Sequence, residues 1–365
     1  MAAFTAKDVQ ALREKTNVGM MDCKKALVEA DGDMDKAVEI LREKGLATAA
    51  KKASRIAAEG VIGLYSDGSA SALVELNCET DFVGNGPEFK ALANQIAKTV
   101  VEAKPADLDA LLATTISEGT ISVADAIQEL FLKIRENLKL RRFVLVEGTA
   151  VSYIHGGGSV GVLVSFDTNA DANSAEFIAM GKNIAMQVAA MSPEYLSKDD
   201  ISDEELAKMK SITIDSSLNK PESLPKPILK KLFEKACNEK LFSDADIAAY
   251  EEQKNNNFLF NFLSKEAVAT LAQLAVAGKE EFVNDKIFAG AVEGRVKKQL
   301  KEICLLEQAF VRSDLYDGMV SGYVAQVAKE LGADIKVTGF TRLAKGEGIE
   351  KKEDNFAEEV ASMMK

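Results

Sequence analysis

Residues 60–77, GVIGLYSDGSASALVELN, alternate apolar with small or polar side chains on either side of Asp67-Gly68. Alternation with period two marks a half-buried strand, and an Asp-Gly pair between two such runs is a hairpin turn. The period then changes: in PEFKALANQIAKTVVEA, residues 87–103, Phe89, Leu92, Ile96 and Val100 fall on one helical face. The stretch predicts a hairpin followed by a helix.

The same order recurs at an offset of 88 to 90 residues. VSYIHGGGSVGVLVSFD at 151–167 repeats the hairpin, Glu147-Gly148 answers Glu59-Gly60, and Glu176-Phe177 leads into IAMGKNIAMQVAA as Glu88-Phe89 leads into the first helix. Several features aligned at one offset point to an internal duplication.

Outward from this core the patterns are helical. Thr5 with Asp8 caps a first helix bearing Val9 and Leu12, residues 20–30 form a second, and Asp33 caps a third with Met34, Val38 and Leu41 on one face and Gly45 as its stop. LATAAKKASRIAAEG, residues 46–60, suits a helical or flexible linker. Residues 199–288, with prolines at 221, 225 and 227, read as a helical insertion in the second unit. Beyond it a helix and a strand (323–343) complete that unit, and a terminal helix carries Phe356, Val360 and Met363 at helical spacing. The fold class is α+β: an N-terminal three-helix bundle with linker (1–54), a first core half (55–146), a second core half in two parts (147–198 and 289–343), the insertion (199–288) and a C-terminal helical module (344–365).

Composition narrows the chemistry. The chain of 365 residues is 47% hydrophobic and 28% charged, an ordinary balance for several cored modules. Neither a membrane span nor a signal peptide is evident, which predicts a soluble cytoplasmic protein with no membrane partner. The net charge of −12 argues against a general nucleic-acid binder and for a protein partner. Four scattered cysteines read as reduced thiols, with no metal-ligand spacing and no cofactor motif. His155 is the single histidine, no nucleophile motif accompanies it, and the glycines at 156–158 lack the lysine and helix of a phosphate loop. Asp81 or Glu79 as the base of a small-molecule enzyme has no supporting group.

The duplication also serves as a control. After its second strand the first copy continues Asn77-Cys78-Glu79-Thr80-Asp81-Phe82-Val83, whereas the second continues Asp167-Thr168-Asn169-Ala170. Phe82 could staple the loop to the following helix. An aromatic beside an acid that the second copy does without is also a recognition device for a partner. Met20 and Met21 are gap-fillers by default, or soft side chains suited to an interface.

LREKTNVGMMDCKKAL (12–27), ELNCETDFV (75–83), HGGGSVGVLV (155–164), VEGRVKKQ (292–299) and VTGFTRLAKGEGIEK (337–351) resemble the bacterial elongation factor Ts family. That resemblance implies a ubiquitin-associated-like N-terminal bundle and a guanine nucleotide exchange factor, not an enzyme of covalent chemistry. The implied partner is elongation factor Tu, GDP-bound and nucleotide-free, with a homodimer left open. It further implies that Asp81 and Phe82, flanked by Thr80 and Val83, enter the GTPase near its magnesium site. Further contacts carry over to Met20, Met21, Lys24, the linker pair Lys51-Lys52, Ile134, His155, Val311 and Met363. Gly84 replaces the family's usual Ser or Ala, which predicts a looser loop, and the insertion is longer than the family's helical hairpin.

Overall fold

The computed structural model describes residues 4–16, 18–52, 54–256 and 258–350. Two units divide the chain: residues 4–192, 311–316 and 322–350 in the first, and 193–310 with 317–321 in the second.

The first unit opens with α1 (Ala6–Thr16), α2 (Met20–Glu29) and α3 (Met34–Lys52), which bury Leu12, Cys23, Leu27 and Leu41 between them. Asp33 caps α3 by accepting from the amides of Asp35 and Lys36. Gly45 is not the stop that the sequence suggested: α3 runs on through it to Lys52. The missing side chain serves packing instead, because a Cβ there would stand 2.3 Å from Leu132 Cδ2.

Two three-stranded antiparallel sheets follow. The first, in the order β1-β2-β3, holds β1 (Glu59–Ser66), β2 (Ala70–Cys78) and β3 (Lys139–Glu147). The second, β4-β5-β6, holds β4 (Ala150–His155), β5 (Val160–Thr168) and β6 (Ile335–Ala344). Ile62 and Leu73 of the first sheet pack with Leu163 and Leu343 of the second. Between β2 and β3 lie α4 (Asp81–Gly84), α5 (Pro87–Ala103), α6 (Leu108–Ala113) and α7 (Val123–Ile134); α8 (Ala175–Met191) follows β5.

The register makes the duplication exact in its geometry. Gly63 pairs with Val74 in the first hairpin and Val151 with Val164 in the second, so the first strands are offset by 88 residues and the second strands by 90. Both copies break register at the matching place, between Glu75 and Leu76 and between Ser165 and Phe166. Helices α5 and α8 each have 17 residues and each ends on a left-handed residue, Lys104 at φ 48° and Ser192 at φ 46°. The copies differ in two loops. Three residues join β1 to β2 against four joining β4 to β5, and eight join β2 to α5 against six joining β5 to α8.

The second unit is helical: α9 (Asp203–Leu218), α10 (Lys226–Asn238), α11 (Asp244–Gln253), α12 (Lys265–Ala277), α13 (Lys279–Val283) and α14 (Lys286–Ile303). Leu218, Ile228, Phe233, Leu271 and Phe288 form its core, with the rings of Phe233 and Tyr250 stacked 4.0 Å apart. Its boundary is wider than the 199–288 read from the sequence, since α14 contributes Phe288, Val292 and Val296 to that core. The two ends of the segment meet: the amides of Glu194 and Tyr195 donate to Ile303 O, and Leu305 N donates to Tyr195 O. The last helix of the first unit, α15 (Val320–Leu331), starts at the unit boundary and leads into β6. The expected C-terminal stripe of Phe356, Val360 and Met363 lies outside the described residues. No helix among the described residues is long and apolar enough to cross a membrane.

Candidate partner-binding site

Strand β2 is buried along its whole length, so its last residue, Cys78, delivers the chain to the surface at a fixed point. There it turns through α4, a helix of four residues. Thr80 is the N-cap, with its Oγ1 accepting from Val83 N at 3.4 Å, and the amides of Gly84 and Asn85 close the turn on the carbonyls of Thr80 and Asp81. The two central side chains diverge. Val83 packs against the core cluster under α5, whereas Phe82 is 86% exposed. The staple reading of Phe82 is therefore wrong, and Val83 performs that task. The Asp81 side chain is exposed beside Phe82, and its carboxylate makes no hydrogen bond or ion pair among the described residues.

So small a helix is marginal by itself, because four residues close too few hydrogen bonds to repay ordering them. The turn is held from outside. Glu136, two residues past the end of α7, accepts from Glu79 N at 3.1 Å and Thr80 N at 3.0 Å through one carboxylate oxygen, and from Thr80 Oγ1 at 2.7 Å through the other. In return Glu79 accepts from Asn137 N at 2.7 Å and pairs with Arg55 at 3.2 Å. Gly84 is buried against β1, where an added Cβ would come within 3.0 Å of Gly60 O. The expected looseness at Gly84 is thus a close approach of backbone to backbone.

The same few residues tie the turn to the N-terminal bundle. Arg135 ends α7 in the left-handed region at φ 62°, and its guanidinium pairs with Asp22 of α2 at 2.5 Å. Its carbonyl accepts from Lys52, and Asn137 Nδ2 donates to Arg55 O at 2.8 Å. Asp22 stands in the first turn of α2 beside Met20 and Met21, which are exposed (42% and 64%) and not gap-fillers; Lys24 is exposed too. Ile134 is partly buried at the end of α7, packed on the core. The Arg135-Glu136-Asn137 segment thus brings the starts of α2 and α4 into one bonded network. Sequence reading missed Glu136 because its partners lie 56 and 57 residues away.

His155 closes β4 with its side chain exposed, 3.0 Å from Tyr153 Oη. The glycines after it let the turn lie on β1, with Ile62 N donating to Gly158 O at 2.8 Å. Val311 is 44% exposed, its amide held by Gln187 at 2.8 Å. Of the linker pair, Lys52 bonds as described, and the side chain of Lys51 lies outside the described residues, as does Met363. The described residues contain no cluster of three histidine, cysteine or acidic side chains that could hold a metal ion.

The sequence profile of the family described as Elongation factor TS matches residues 79–253 and 247–347. Elongation factor Ts of Clostridioides difficile is 39% identical over 100% of both chains, and that of Clostridium tetani 41% identical over 99% of both. That of Clostridium acetobutylicum is 40% identical over 99% of this chain and 98% of its own. This chain belongs to the elongation factor Ts family. Members of the elongation factor Ts family serve translation elongation as nucleotide exchange factors, and that role is this chain's. The α+β architecture, with N-terminal helices, two small antiparallel sheets and a further helical region, is consistent with the elongation factor Ts fold.

Proposed function

We propose that the protein binds elongation factor Tu carrying GDP, inserts Phe82 near the magnesium site of the GTPase, and so promotes GDP release and refilling by GTP. The observation that carries this reading is the exposure of Phe82 on a turn tied down by Glu136, at a place where the second copy of the unit has a connection two residues shorter. A rigid aromatic on an anchored turn loses little side-chain freedom on insertion, which is what a wedge requires. Asp81 supplies a free carboxylate beside it. Met20, Met21 and Lys24 at the start of α2, together with Lys51, Lys52, Ile134, His155, Val311 and Met363, complete the proposed contact set.

No covalent chemistry is involved. A protein that binds the nucleotide-free GTPase more tightly than the GDP-bound form weakens GDP binding by the same factor, because the coupling is reciprocal. A magnesium ion held by the GTPase would contribute several kcal/mol to nucleotide binding, so Phe82 need only favour the state in which that site is disturbed. The test is release of fluorescent GDP from elongation factor Tu. The wild-type chain should accelerate release, and Phe82→Ala should remove about tenfold or more of that acceleration, as for a central interface aromatic. An unchanged rate with Phe82→Ala would refute the wedge.

A further inference from the structure

We infer that Glu136 is the positioning residue of the Phe82 turn: its carboxylate fixes the backbone of Glu79 and Thr80 and thereby sets where Phe82 is presented. The consequence for exchange rests on the function proposed above.

The duplication supplies the argument. The third strands of the two sheets correspond at an offset of 197 residues, since Ala70 pairs with Glu147 and Val160 with Ala344. Asn137 therefore corresponds to Asp334, and Glu79 to Asn169. One hydrogen bond is common to both copies: Asn137 N donates to Glu79 Oε1 at 2.7 Å, and Asp334 N donates to Asn169 Oδ1 at 2.8 Å. That bond belongs to the scaffold. The position of Glu136 is occupied in the second copy by Ala333, and there the connection after the strand is held by the Asp334 carbonyl, which accepts from Asn169 N and from Thr168 Oγ1. A unit without the Phe82 turn thus folds without the carboxylate. Brace and exposed aromatic occur together in one copy and are both missing from the other.

The chemistry suits the task. Two adjacent amides and a hydroxyl converge on one ionised group, and hydrogen bonds to a charged acceptor are about twice as strong as neutral ones. All three donors belong to Glu79 and Thr80, two and one residues before α4, so the brace fixes the direction in which that short helix leaves β2. Glu136 is itself held between Arg135, paired with Asp22, and Asn137, bonded to Arg55 O. It is therefore fixed on both sides.

Two measurements on the full-length protein test the inference. In Glu136→Ala the amides of Glu79 and Thr80 lose their acceptor and should exchange hydrogen about tenfold faster or more, with Glu136→Gln between, since its amide oxygen still accepts. Unchanged protection would overturn the brace. In GDP release from elongation factor Tu, Glu136→Ala should lower the maximal rate about tenfold and the half-saturating concentration much less, Glu136→Gln should restore most of the rate, and in a Phe82→Ala background Glu136→Ala should add nothing. An equal loss in both backgrounds would mean that Glu136 acts by another route and would overturn the positioning role. If Phe82→Ala alone leaves release unchanged, the proposed function fails, and the amide protection still decides whether Glu136 holds the turn.

Discussion

Val151 on β4 lies so close to Gly181 on α8 that a Cβ on the glycine would stand 2.4 Å from Val151 Cγ2. The first copy solves the same contact in reverse: Gly63 is on the strand β1, and its Cβ would meet the carbonyl of Ala93, on the helix α5, at 2.4 Å. Each helix reaches its sheet over a glycine, contributed by opposite partners. Gly181→Ala should lower stability by about 1–3 kcal/mol as an overpacked core contact. Pairing it with Val151→Gly, which recreates the arrangement of the first copy, should cost less than the two changes summed. Urea unfolding of the two single variants and the double variant measures the coupling.

Glu75 is fully buried in β2 and is surrounded by donors: Arg141 at 3.1 Å, Arg142 at 2.5 Å, and Gly346 N at 2.8 Å. A carboxylate so enclosed stabilises the fold only while all its partners remain. Among the described residues, replacing it by alanine leaves Arg141 only its bond to the Glu347 carbonyl and Arg142 only its bonds to Ala344 O and the Glu347 carboxylate, and should cost about 3–5 kcal/mol, read as a lowered urea midpoint. A loss below about 1 kcal/mol would show that water repairs the site as it does for surface pairs.

Adjacent residues on α4 should respond in opposite ways. Phe82→Ala removes an exposed ring and should leave stability within about 0.5 kcal/mol of the parent. Val83→Ala removes methyl groups packed on the core and should cost about 1–2 kcal/mol, with a smaller effect on exchange. Thermal unfolding and GDP release on the same two samples separate the roles.

Burial pushes the Cys78 thiol from 9.0 up to about 12 and the Cys304 thiol up to about 11, with nearby carboxylates adding to the shift. The thiolate is the nucleophile, so at pH 8 both should resist a disulfide reagent in the folded protein. Cys237, only partly buried, should react first. The pH dependence follows from the sign. A folded pKa raised above the unfolded one means that the unfolded chain releases the proton first. The stabilising contribution is therefore full below about pH 9 and declines as pH rises towards 12 for Cys78. Cys78→Ala should flatten the fall in unfolding free energy across that interval, and an unaltered slope would exclude Cys78 as its source.

What could be read from the sequence was what is local. The Asp67-Gly68 turn, the helical face of Phe89, Leu92 and Ile96, and the Asp33 cap each depend on neighbours within a few residues, and the repeat offset extended them to the second copy. Gly45 was misread because a helix stop and a close helix crossing demand the same missing side chain, and only the position of Leu132 distinguishes them. The boundary of the helical segment was misplaced because α14 shows an apolar face either way, and its partners are far away in sequence. At the candidate site Phe82 is visible as an anomaly between copies, whereas nothing local in the sequence singles out Glu136. Its meaning lies in three donors that only the folded chain collects.

The meeting of Tyr195 with Ile303 and Leu305 has a consequence for how the chain tolerates change in length. A segment whose ends are clasped together adds to its host only the ring-closure entropy of a short connection, whatever number of residues lies between, because its own core meets the cost of ordering them. Residues 196–302 can therefore lengthen, shorten or be exchanged for another self-contained piece with little penalty to the sheets on either side of it in sequence. That makes this clasp the point at which a change of length in the chain should disturb the duplicated units least.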